Sequence, residues 1–181
     1  MSTMLAHVPS PAVHNLFFAI KPPEEKVREI MDLIAALDLG GAPLRPDRLH
    51  ISLLALVCRD DVPEGLIEEA RDVAGDIRMN PMRVIFDRAV GGQNSAFLQP
   101  SEPLDVLRMF RERLGLALRS AGVDLHLGGR FSPHITLLYG GQPKPETPID
   151  AITWVVEEFV LIDSLIGETK HVEVGRWPLR S

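Results

Sequence analysis

The tripeptide His50-Ile51-Ser52 returns 84 residues later as His134-Ile135-Thr136, and both copies lie inside short apolar runs, LHISLL and PHITLL. Runs of this length and composition read as strands. On a strand, residues i and i+2 point to the same face. Each run therefore presents an imidazole beside a hydroxyl on one face and isoleucine on the other. A chain built around two such strands must place two matched polar pairs on sheet surfaces.

Composition sets how much weight the repeat carries. The chain has six histidines, so about one His-x-Ser/Thr is expected by chance. The other four fail the pattern: His7, His14, His126 and His171 are followed at +2 by Pro9, Leu16, Gly128 and Glu173. Two copies, both in apolar runs flanked by leucine, go beyond chance. The plainer reading is a pair of strand histidines that hydrogen-bond to their neighbours.

The remaining pattern gives the frame. Residues 15–20 are a continuous apolar run, consistent with a buried strand. A helix opens at Pro22-Pro23-Glu24, carries Val27, Ile30, Met31, Ile34 and Leu37 at helical spacing, and ends at Gly40-Gly41. A second helix is expected over 63–77 and the longest over 104–121. Residues 83–90 and 95–98 read as a hairpin around Gly91-Gly92-Gln93-Asn94. Two late strands are expected over 153–165 and 170–179. The order is not strict β-α alternation. The expected fold is α+β and bilobal: two mostly antiparallel sheets, helices packed outside, and a central active-site groove. Residues 1–12, with Pro9 and Pro11, read as a flexible tail before a single domain over 13–181.

Bulk properties narrow the partners. A net charge of −6 argues against a broad nucleic-acid backbone binder, although one phosphate needs only a local basic pocket. One cysteine, Cys58, excludes an intrachain disulfide and fits a reducing, cytoplasmic setting; in its apolar context it reads as buried. No signal peptide, membrane-spanning stretch or protein-partner motif is evident.

Two imidazoles that titrate near neutrality can divide acid and base work between them. That division suits in-line displacement at phosphorus, with Ser52 and Thr136 bonding the non-bridging oxygens. The first assignment is His134 as base and His50 as acid, with the reverse left open. No metal or other cofactor is expected, because there is no His-x-His, no HExxH and no carboxylate beside either histidine. Arg48, Arg45 and Arg130 flank the motifs and can supply positive charge. Tyr139 can stack on a base or donate its hydroxyl.

The chain resembles the two-histidine phosphoesterase superfamily, and within it the 2′-5′ RNA ligase or RNA 2′,3′-cyclic phosphodiesterase group. Four segments carry the resemblance: residues 16–20 with Pro22-Pro23, residues 45–53, residues 131–137, and residues 159–164 with 175–179. It implies metal-independent opening of a 2′,3′-cyclic phosphate to a 2′-phosphate, with RNA ends or small cyclic nucleotides as partners. In some members it also implies joining of RNA ends through a 2′-5′ linkage. Ser52 stands where threonine is more usual. Tyr139 stands where many members carry a phosphate-binding arginine, a role Arg130 or Lys144 would have to fill. The competing expectation is a nucleotide- or RNA-end-binding module with little catalysis.

Overall fold

The computed structural model describes residues 13–56, 62–126, 130–166 and 170–181. The expected tail and Cys58 lie outside them. In chain order the elements are β1 (Val13–Ile20), α1 (Glu24–Leu37), β2 (Ala42–Pro43), β3 (Ile51–Leu56), α2 (Leu66–Asp76), β4 (Met82–Gly91), β5 (Ser95–Gln99), α3 (Asp105–Ser120), β6 (Leu125–His126), β7 (Ile135–Tyr139), β8 (Lys144–Val156), β9 (Glu158–Ile166) and β10 (Lys170–Pro178).

The helices follow from their sequences. Glu24 and Glu25 occupy the first turn of α1, where the helix dipole favours negative charge, and Ile30 and Ile34 are its buried stripe. The helix stops short of Gly40 because Asp38 takes the left-handed conformation, at φ 43°. In α3, Leu107, Phe110, Leu114 and Leu118 repeat at spacings of three and four and are buried.

The fold is α+β, and every strand pairing is antiparallel. The two expected sheets are joined into one ten-stranded sheet that runs β10-β9-β1-β3-β7-β5-β4-β8, with β2 on β7 and β6 on β3 off that path. Their junction is narrow: β3 and β7 meet through the single pair Ile51↔Ile135. The strand expected over 153–165 is in fact two. Glu157 alone separates β8 from β9, which lie near opposite ends of the strand order. The sheet therefore coils until its two ends lie one residue apart, without closing into a barrel.

One core cluster runs through both halves and all three helices, and Phe18, Phe86, Phe110 and Phe159 are fully buried in it. Each such side chain contributes about 1.5–3 kcal/mol. A second, smaller cluster of Phe17, Ala19, Val160 and Ile162 covers part of the opposite face of β1 and β9. That opposite face carries both histidine motifs. Among the described residues, no helix is long and apolar enough to cross a membrane.

Candidate active site

The pair Ile51↔Ile135 is antiparallel, and both isoleucines are fully buried. Extending that register by one residue in each direction sets His50 opposite Thr136 and Ser52 opposite His134. Directly opposed side chains on one face of an antiparallel pair have Cβ atoms about 4.5–5.5 Å apart. All four polar side chains thus share one face, related by a local twofold through the isoleucine pair.

The surroundings repeat with the same symmetry. His50 Nδ1 donates to the Arg48 carbonyl at 2.7 Å, and His134 Nδ1 donates to the Ser132 carbonyl at 2.9 Å. A carbonyl only accepts, so each ring carries a proton on Nδ1, which leaves Nε2 as the atom that can take up or give a proton. His50 Nε2 accepts from the Ser52 hydroxyl at 3.1 Å. A phenylalanine from the neighbouring strand packs on each ring: Phe17 on His50 with centroids 5.0 Å apart, and Phe97 on His134 at 5.6 Å.

A matched bulge follows each motif. Along β3 the partners step from Ala19↔Ser52 to Phe18↔Leu54, and along β7 from Phe97↔Thr136 to Ala96↔Leu138. Leu53 and Leu137 are the extra residues. Each bulge resets the alternation, so Leu54 and Leu138 turn to the core. Tyr139, three residues after Thr136, returns to the motif face opposite Ser95, and it is half exposed. Arg111 of α3 ties the two motifs together. Its Nε donates to the Leu53 carbonyl at 2.8 Å, and its guanidinium lies over the Phe131 ring, 4.8 Å from the centroid.

The other flanking residues divide. Arg48 belongs to the site: its carbonyl anchors His50 and its Nη2 donates to His171 Nε2 at 3.3 Å. Arg130 is exposed and lines a hollow of about 740 Å³, together with Arg108, Ser132 and Pro133, at the approach to His134. Arg45 is occupied by a fork onto Asp47, both contacts 3.0 Å. Lys144 pairs with Gly91, on the far side of β5 and β4 from β7.

His171 is the residue that sequence reasoning missed. It fails the His-x-Ser/Thr pattern, yet β10 brings it to 5.5 Å from the His50 ring, edge-on, and to 5.7 Å from Phe17. Its only signal in the sequence is a place in a late strand, and nothing there says that this strand reaches the motif.

Burial holds the pKa of His50 below its ordinary 6.5; the charges of Arg48, His134 and Lys21 act the same way, against the hydrogen bond to the Arg48 carbonyl. His171 is pushed down to about 4, first by burial and then by Arg48, His50 and Lys21. Among the described residues, no three His, Cys, Asp or Glu side chains are grouped so as to hold a metal ion.

The fold has solved counterparts. E. coli LigT complexed with 3′-AMP superposes with a TM-score of 0.78 at 26% identity, covering 93% of this chain and 99% of that one. LigT has also been crystallised with NADP+, with phosphate and with ATP. TT0787 of Thermus thermophilus shares the fold, at 0.74 and 24% identity over 92% of this chain and 98% of its own. So does the ns2 PDE domain of MHV, at 0.62 and 12% identity over 82% of this chain and 99% of its own. No curated protein sequence matches the chain. A family model described as the 2′-5′ RNA ligase superfamily matches residues 21–167. Its span includes both histidine motifs, and the chain belongs to that superfamily, whose members are two-histidine phosphoesterases and ligases.

Proposed function

We propose that the chain is a phosphodiesterase that hydrolyses a 2′,3′-cyclic phosphate at an RNA or nucleotide end to a 2′-phosphate. The observation that carries this reading is the twofold arrangement of two imidazoles, each with Nδ1 anchored on a carbonyl and each opposite the other motif's hydroxyl. The nucleotide and phosphate complexes of LigT support it.

In the reaction the phosphate lies between the two Nε2 atoms. One histidine removes a proton from water as its oxygen bonds to phosphorus. The other donates a proton to the 3′ oxygen as the P–O3′ bond breaks. Ser52 and Thr136 donate to the non-bridging oxygens, where charge accumulates. Half-buried His50, whose pKa lies below the ordinary value, is neutral near pH 7 and suits the base. That leaves the acid role to His134, which is exposed on the other motif. This is the reverse of the first assignment made from the sequence. A ribose 5′-hydroxyl in place of water gives a 2′-5′ linkage by the same steps.

The reading is tested by ³¹P NMR of a nucleoside 2′,3′-cyclic phosphate incubated with the protein and a chelator. Conversion to the 2′-phosphate alone is expected. Absence of turnover, or loss of turnover with the chelator, contradicts it. The division of roles is tested with catechol cyclic phosphate, whose phenolate leaves without needing a proton. His134→Ala is expected to retain activity on it and His50→Ala to lose it; the opposite outcome returns the base role to His134.

A further inference from the structure

On the side of β3 away from β7, His50 has a second polar neighbourhood. Arg48 Nη2 donates to His171 Nε2, which leaves the proton of His171 on Nδ1. That Nδ1 and Arg48 Nε are both buried and have no hydrogen-bond partner among the described residues. Both are donors. An unpaired buried donor is costly, so two of them on side chains already bonded to each other mark a place that lacks an acceptor. The local charge has the sign that draws an anion. Lys21 acts on both His50 and His171. Asp47, whose charge also reaches His171, is already forked by Arg45. A guanidinium with free N–H groups suits phosphate oxygens.

The position separates this place from the reacting phosphate. β10 is three strands from β3, on the side opposite β7. An oxygen held by Arg48 and His171 therefore lies across His50 from the gap between the two catalytic imidazoles. We propose that Arg48 and His171 form a second phosphate subsite, which takes the phosphate linking the reacting nucleotide to its neighbour in an RNA chain. The inference rests on the cyclic-phosphate reading above and adds that the substrate is an oligonucleotide end rather than a free nucleotide.

The test compares a ribodinucleotide 2′-phosphate with a nucleoside 2′-phosphate by titration calorimetry, and the matching cyclic phosphates by turnover. Wild type is expected to bind the dinucleotide about tenfold more tightly or better, the effect of one charge-assisted contact. Arg48→Gln and His171→Ala are expected to abolish that preference. Arg48→Lys and His171→Gln, which keep the charge or the hydrogen bond, are expected to restore part of it and provide controls for folding. Equal wild-type affinity for both ligands overturns the subsite. So does an Arg48→Gln or His171→Ala variant that weakens both ligands equally, which would place the pair on the reacting phosphate. A binding preference without turnover of either cyclic phosphate contradicts the catalytic reading and leaves the subsite standing. Turnover without a preference does the reverse.

Discussion

A neutral histidine next to a guanidinium has a consequence for stability. His171 has a pKa of about 4 in the folded chain, against 6.5 for an ordinary histidine. As pH falls below 6.5 the unfolded chain takes up a proton at this residue and the folded chain does not. Stability present above pH 6.5 is therefore lost progressively down to about pH 4. His171→Gln removes that titration and is expected to flatten the fall in unfolding free energy over this window, as read by chemical denaturation at a series of pH values. A variant whose pH dependence matches wild type would show that His171 is not held neutral. Residues of this kind are the least legible in a sequence. His50 and His134 declare themselves because each carries its hydroxyl at +2. His171 and Arg48 do not, because the two partners lie 123 residues apart.

At the level of elements, the bulges at Leu53 and Leu137 decide which side chains reach the motif face. A regular strand would send Tyr139 to the face away from Thr136, and the bulge returns it. Arg111 holds the first bulge through the Leu53 carbonyl and reaches Phe131 ahead of the second motif. Arg111→Met keeps the stem and removes the hydrogen bond. It is expected to cost about 1–3 kcal/mol in chemical denaturation, the penalty for an unsatisfied buried acceptor. It is also expected to lower turnover, because it loosens the strand that carries His50. Unchanged stability would mean that the Leu53 carbonyl finds another donor. The sequence showed the helices, the hairpin and both motif strands, since each depends on local periodicity. It did not show the break at Glu157, because apolar spacing continues through Trp154, Val156, Phe159 and Leu161. Nor did it show β2 and β6, two residues each, which exist only through their partners.

For the molecule as a whole, the two halves share one core although their sheets meet in one residue pair. Thermal unfolding followed by far-UV and near-UV circular dichroism is expected to give a single coincident transition. Two separated transitions would mean that the halves fold independently and that the site is assembled by docking. The antiparallel α+β class was legible from element order. The joining of the sheets was not, because strand order across β3 and β7 is a long-range property. The central claim is that the two motifs act as one catalytic unit across that seam. It is tested most directly by the turnover of a 2′,3′-cyclic nucleotide by His50→Ala, His134→Ala and the double variant, each shown to be folded. Each single variant is expected to lose roughly 10²–10⁴-fold. The double variant is expected to lose little more than the worse single, as residues acting together do. Wild-type turnover in either single variant, or losses in the double that multiply as independent effects, would contradict the account.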